Sequence, residues 1–387
     1  MTKLSYNPAR FIARPEVDVI VGRAQGMTAN LQRVVQAKPK DPVTLINAAR
    51  GSGKSWLLQE VHRRLLEDNP HICSCYVDLS QCHDPEHPTV THVVECALRE
   101  VLKCVDSPPL LPVLSRYDLS DRLKKIVTDG RRKLHVVLID HVDEQGKDVL
   151  DLFEDYCLAI LVTLPNVYVV FAGLGKKHHW RNPALRPPPM DLQPFDSAQT
   201  QRQIDKQLPA VSGTASGIHD LSEGNPWANY LIGLDRAGTR TDVVEELLGD
   251  EKAYRDYFTA LCVLRSFDET SMPYLFAEHY QDASYRDKNY GYCREIRQQL
   301  VNTHLVKWSY DLSGWVIDAA LKAVIENLLK EHDFTRWRGL QCAAYLMYET
   351  LANKYPEAKA RYQEEMTYHR QQLAAAGLTP EECQSTH

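Results

Sequence analysis

Residues 47–56 read Asn-Ala-Ala-Arg-Gly-Ser-Gly-Lys-Ser-Trp, a run suited to holding phosphate. Glycines such as Gly51 and Gly53 let backbone N–H groups converge on an anion with no Cβ in the way. In the pattern G-x-x-x-x-G-K-[ST] the lysine reaches the outer phosphates and the hydroxyl ligates Mg²⁺, which here means Lys54 and Ser55. Ala48 stands where that pattern has its first glycine; its methyl group is tolerable unless φ must be positive. Ala49, Arg50, Gly51, Ser52, Gly53, Lys54, Ser55 and Trp56 are therefore the candidate nucleotide contacts. Further on, "VVLIDHVDE" (136–144) ends an apolar run in acids. Asp140 is placed to hold Mg²⁺, and Asp143 or Glu144 to polarise an attacking water.

Such residues need strands that end at them and a helix that starts at them. "PVTLINAA" (42–49) reads as a buried strand, and "KSWLLQEVHRRLLED" as the helix opening at the Gly53 turn. "HICSCYVDLS" (71–80), "LHVVLIDHVDE" (134–144) and "NVYVVFAG" (166–173) read as further strands, the latter two buried on both faces. "TVTHVVECALREVLKCV" (89–105) and "VLDLFEDYCLAILVTL" read as the helices between them. Strands alternating with helices predict an α/β fold, a P-loop NTPase parallel sheet with helices on both faces. "RNPALRPPPMDLQPF" reads as an extended connector.

After Phe195 the pattern becomes helical, interrupted by a hairpin at "HLVKWSYDLSGWVID" (304–318) and a helix break near Pro356. The expected layout is an N-terminal extension (1–17), the NTPase domain (18–195), a small helical domain (196–249), a winged helix (250–332) and a C-terminal helical hairpin with its tail (333–387).

The formal net charge of −6 gives no broad attraction to nucleic acid or anionic lipid. The apolar runs are too short to span a bilayer, so no membrane partner and a cytoplasmic location are expected. The ten cysteines then read as reduced thiols. The crowding of His71, Cys73, Cys75, Cys82, His83 and His87 invites zinc, but its spacing is that of no zinc knuckle and two of the thiols lie in a strand.

Taken in order, these segments resemble the STAND nucleotide switches, relatives of the NACHT and NB-ARC ATPases. "VIVGRAQGMTANL" (19–31) is similar to the family's leading hydrophobic-Gly-Arg element, which implies that Gly22 and Arg23 lie by the adenine. "LIDHVDE" resembles its extended Walker B, "DLQPFDSAQT" its Leu-x-Pro turn, and "LSEGNPWANYLIGL" its Gly-Asn-Pro helix start, with Asn225 as cap and Pro226 packing on the base. "EEMTYH" (364–369) fits the terminal helices. The resemblance implies ATP/ADP and Mg²⁺ as cofactors, slow hydrolysis, self-association on ATP binding, and a signalling role such as prokaryotic defence.

Three positions depart from the family. Ala48 replaces glycine; Leu174 stands where an arginine sensing the γ-phosphate belongs, with Lys176, Lys177 or Arg181 as substitutes; and Ile317 precedes Asp318 where relatives carry a histidine. Since little sequence precedes the NTPase segment, either the sensor and effector are separate proteins or the sequence is a fragment of a longer one. Two rival readings stand beside the switch. One is a DNA-associated winged-helix ATPase, for which "YRDKNYGYCREIRQQL" (285–300) offers Arg286, Lys288, Arg294 and Arg297; the other is a degenerate nucleotide-binding scaffold.

Overall fold

The computed structural model describes residues 5–33, 42–82, 90–104, 133–142, 145–173, 180–239 and 241–384, with Asp118, Asp121 and Lys125. The chain divides into two compact units, one ending at Gln193 and the other beginning at Pro194.

In the first unit, α1 (Pro15–Arg33) leads into β1 (Val43–Asn47), α2 (Lys54–Asp68), β2 (Ile72–Asp78), α3 (Val90–Cys104) and β3 (Leu134–Asp140). Then come α4 (Lys147–Phe153), which runs on through a π turn at Glu154–Leu158, β4 (Val167–Gly173) and the short β5 (Pro189–Asp191). The five strands lie in the order β2-β3-β4-β1-β5, and every pairing is parallel. Residues of opposite parity on β3 feed opposite cores, as the pleat requires. Leu134, Val136 and Leu138 join a cluster with Val17 and Ile20 of α1 and Leu57, Leu58 and Val61 of α2. Val137 and Ile139 join another with Val94, Ala97 and Leu98 of α3 and Leu150 and Phe153 of α4. Helices thus cover both faces of the sheet.

The connector expected at 181–195 contains a strand. Pro189–Asp191 pairs with Leu45–Asn47 at the sheet edge, where a proline's missing N–H is harmless. The leading element at 19–31 lies wholly within α1, whose buried Val17, Ile20, Val21, Ala24 and Met27 recur at helical spacing.

The second unit opens with α5 (Ser197–Gln207), α6 (Ala215–Ser222), α7 (Pro226–Arg236) and α8 (Val243–Leu248). It continues with α9 (Arg255–Leu261), α10 (Met272–Tyr280) and α11 (Tyr290–Asn302). The hairpin is present as antiparallel β6 (Val306–Ser309) and β7 (Gly314–Ile317), and Phe267 bridges to Trp315 beside it. α12 (Ala319–His332), capped by Asp318, leads to α13 (Phe334–Lys354) and α14 (Lys359–Ala375), with the break at Pro356–Ala358. A last turn, α15 (Glu381–Gln384), returns to α13 through a Cys342–Cys383 disulfide. That bond corrects the expectation of reduced cysteines throughout. The two residues are far apart in sequence and meet because the hairpin folds the tail back, so no local spacing announces them. Cys73, Cys75, Cys82, Cys96, Cys157, Cys262 and Cys293 are present as thiols. Among the described residues no helix is long and apolar enough to cross a membrane.

Candidate functional site: a phosphate loop and a carboxylate pair on one sheet edge

β1 delivers the chain to the loop at its C-terminal end. Ala48 is buried in the core beside the strand and is not among the residues of positive φ, so the missing glycine introduces no strain. The left-handed positions are Gly51 (φ 78°) and Gly53 (φ 88°), where glycine is present. Gly53 stands at the N-cap of the fifteen-residue α2 and supplies no side-chain cap, so the positive end of the helix dipole opens onto the loop. Ser52 is buried, and its Oγ has no hydrogen-bond partner. Three of the loop's carbonyls, by contrast, accept from cations. Lys54 Nζ donates to Ala48 O (2.8 Å) and Ala49 O (2.9 Å), and the Arg14 guanidinium donates to Ser52 O (2.8 Å). With cations on its carbonyls, the loop is biased toward presenting N–H groups to an anion. Trp56 packs edge-on to Tyr6, with ring centroids 5.8 Å apart.

The second half of the site is a pair of carboxylates. Parallel register sets Asp78, the last residue of β2, beside Asp140, the last of β3. Asp140 is 1 % exposed and accepts from Tyr76 Oη (2.8 Å) and from the His141 N–H (2.9 Å). His141 has a positive φ of 58°, and its Nδ1 lies 2.9 Å from Asp78 Oδ1. Burial alone would raise the Asp78 carboxyl, but His141 and Ser80 hold it well below the usual carboxylate range. Burial and the adjacent Asp140 push the Tyr76 phenol up, so it remains a donor.

β4 separates β3 from β1, so Asp140 and the loop leave the same sheet edge two strand spacings apart, about 10 Å. That separation leaves room for phosphates gripped by the loop and a hydrated divalent cation held by Asp140. The orphaned Ser52 hydroxyl, the uncapped helix and the buried carboxylate fit a magnesium nucleotide, with Lys54 and Ser55 on its phosphate side.

Other sequence candidates fall elsewhere. Gly22 and Arg23 sit on the exposed side of α1, and the Arg23 guanidinium donates to Thr44 Oγ1 (2.7 Å) near the start of β1, away from the loop. The arginine on the loop is Arg14, which sequence reasoning missed although "FIAR" repeats the hydrophobic-small-Arg signature just upstream. Burial lowers Arg14 to about 10, which still leaves it charged. Arg181 is committed to α4 and its π turn, pairing with Asp155 (2.6 Å). Asp143, Glu144, Leu174, Lys176, Lys177, His83 and His87 lie outside the described residues. In the second unit Pro226 opens α7, with the Asn225 side chain accepting from Trp227 N and Ala228 N (3.1 Å each). The two turns singled out by sequence meet here. Phe195 N donates to Gly224 O (2.8 Å), and a Cβ on Gly224 would sit 2.0 Å from Phe195 O.

No protein-family model and no curated protein matches this sequence. Solved structures do. Aeropyrum pernix ORC2 in its ADP form aligns with a TM-score of 0.50 at 11 % identity, covering 85 % of this chain and 96 % of that one. The first unit has a P-loop NTPase fold. Pyrobaculum aerophilum Cdc6p (TM-score 0.40, 13 % identity, 84 % of this chain and 97 % of that one) also aligns. So does a point variant of Thermotoga maritima RuvB (TM-score 0.36, 13 % identity, 79 % and 92 %).

Proposed function

We propose that this chain is an ATP-controlled switch of the STAND type. The observation that carries the reading is the uncapped N-terminus of α2, set beside Lys54 on the same sheet edge as the buried Asp140. In this reading Lys54 leaves the carbonyls of Ala48 and Ala49 for the β- and γ-phosphates. Ser55 and Asp140 hold Mg²⁺, and Asp143 or Glu144 orients the attacking water. Residues 18–195 form the NTPase domain, 196–249 a small helical domain, 250–332 a winged helix and 333–387 a terminal hairpin. The sequence of three helices, a two-stranded hairpin and a bridging Phe267 supports the winged-helix assignment. ADP would favour a closed form; ATP with an activating partner would favour an open, self-associating one in the cytoplasm, and slow hydrolysis would reset it. The nucleotide can bias that equilibrium only by its difference in affinity for the two forms. Sizing the purified protein with ADP and with a non-hydrolysable ATP analogue, beside Lys54→Ala, tests this. A nucleotide-dependent size change that the variant lacks is expected; an unchanged size throughout removes self-assembly from the reading.

A second reading, a DNA-associated ATPase, is favoured by one feature. The hairpin exposes Trp308 (42 %) and Tyr310 (88 %) beside Lys307, and Tyr290 (64 %) projects from the start of α11. Aromatics interleaved with cations suit stacking on bases. Salt-dependent binding of a fluorescent DNA oligonucleotide, weakened by Trp308→Ala with Tyr310→Ala, would establish it. No binding at low salt would dismiss it.

A further inference from the structure

Arg14 makes a contact that a nucleotide pocket alone does not require. It is 5 % exposed, just ahead of α1, and its guanidinium spans two carbonyls from distant parts of the chain. One nitrogen donates to Ser52 O, in the middle of the phosphate loop, and the other to Gln193 O, each at 2.8 Å. Gln193 is the last residue of the first unit. The strand just before it runs beside β1 up to the loop: Asn47 is in register with Asp191, Asn47 Nδ2 donates to Asp191 Oδ1 (3.2 Å), and Leu192 N donates to Asn47 O (3.0 Å). Two residues beyond Gln193, Phe195 is pinned to Gly224, immediately before Asn225 and Pro226. The chain leaving the first unit is therefore anchored at both ends of a very short stretch, and its upstream anchor is the same side chain that holds the phosphate loop.

We propose that Arg14 is a positioning residue that couples the phosphate loop to the exit segment 191–195, so that nucleotide in the loop sets how tightly that segment is held. This rests on nucleotide binding at the loop, as in the preceding reading. The physical basis is the planar fork of arginine. Two of its nitrogens donate in fixed relative directions, so a shift of the Ser52 carbonyl moves or strains the bond to Gln193. A lysine has one compact ammonium on a flexible stem and cannot impose that correlation.

Hydrogen exchange on the full chain, read at residues 191–196 with no nucleotide, with ADP and with a non-hydrolysable ATP analogue, tests the coupling. Calorimetry with the same nucleotides runs alongside. In the wild type, exchange in that segment should change about tenfold between the nucleotide-free and bound protein. With nucleotide raised until each protein is saturated, Arg14→Lys and Arg14→Met should exchange at 191–196 at one rate whatever is bound. A purely structural arginine would instead raise exchange equally in all states. Such a uniform rise overturns the inference, as does a wild-type segment that ignores bound nucleotide. Loss of binding in both variants also overturns it, in favour of a residue that only builds the loop. Absence of binding in the wild type itself is a separate outcome: it removes the nucleotide reading and the coupling falls with it.

Discussion

Two polar regions of this molecule are built on opposite plans. At the sheet edge, α2 begins without a cap, Ser52 Oγ is buried with no partner, and Lys54 rests on carbonyls of its own loop. Where α12, α13 and α14 meet the segment that follows α9, the charges are matched internally. Arg265 forks onto buried Glu365 (2.7 and 3.1 Å), and Lys322 pairs with Glu326 (2.8 Å). Gln341 Nε2 donates to Glu326, so its Oε1 accepts from His369 Nδ1 (2.6 Å). Burial, with Lys322 and Arg265 nearby, lowers His369 to about 3 and keeps it neutral; its Nε2 is the one atom of this chain of contacts left without a partner. Buried polar groups persist when paired. The second region is completed by itself; the first, in the function proposed above, would be completed by a bound nucleotide. Substitutions should therefore separate them: the first should respond in affinity, the second in stability.

The largest effect is expected from Lys54→Ala. It removes a charge from the phosphate site and should weaken ATP by about a hundredfold, nearly 3 kcal/mol, in calorimetry. Its melting temperature should stay close to that of the wild type, and a large drop would erase the contrast drawn here. Glu365→Gln should do the reverse. A fully buried pair that loses one partner costs about 3–5 kcal/mol, and because Arg265 is one-third exposed, about 2 kcal/mol in urea unfolding is expected, with nucleotide affinity unchanged. Asn225→Ala removes the cap of α7 and should cost about 1 kcal/mol.

A smaller and pH-specific effect sharpens the first region. Glu60 is buried on α2, where burial would raise its carboxyl, but Arg63, Tyr6 and Arg64 bring it down to about 2. A depressed carboxyl contributes stability above its unfolded value and loses it as pH falls toward the folded one. Glu60→Gln should therefore flatten stability between about pH 4.5 and pH 2 and change little in slope above that window. An unaltered acid branch would mean that the Arg63 and Arg64 contacts do not stabilise the fold.

Local chemistry and local periodicity made part of this legible. β1 to β4 are apolar runs, and the loop and Asp140 sit at the ends of two of them, so pattern alone located both. The helix start at Lys54, the hairpin, the break at Pro356 and the Asn225 cap carry their own turn chemistry. What was missed depends on register. β5 is three residues long, opens with proline and exists only through its pairing with β1. Asp78 matters because β2 aligns it with Asp140, and Arg14 because folding brings residues 52 and 193 to it. α1 is a different failure: residues 19–31 were read only through their resemblance to a leading hydrophobic-Gly-Arg element, although their helical spacing was in plain view.

The Cys342–Cys383 bond has a mechanical corollary. It closes a ring that encloses the end of α13 and the whole of α14. Tension applied at the last described residues would pass through the sulfur bridge to the middle of α13, bypassing α14. A pulling experiment should therefore show the chain between the two cysteines, a separation of 41 residues, as hidden contour length, released only after a reductant is added.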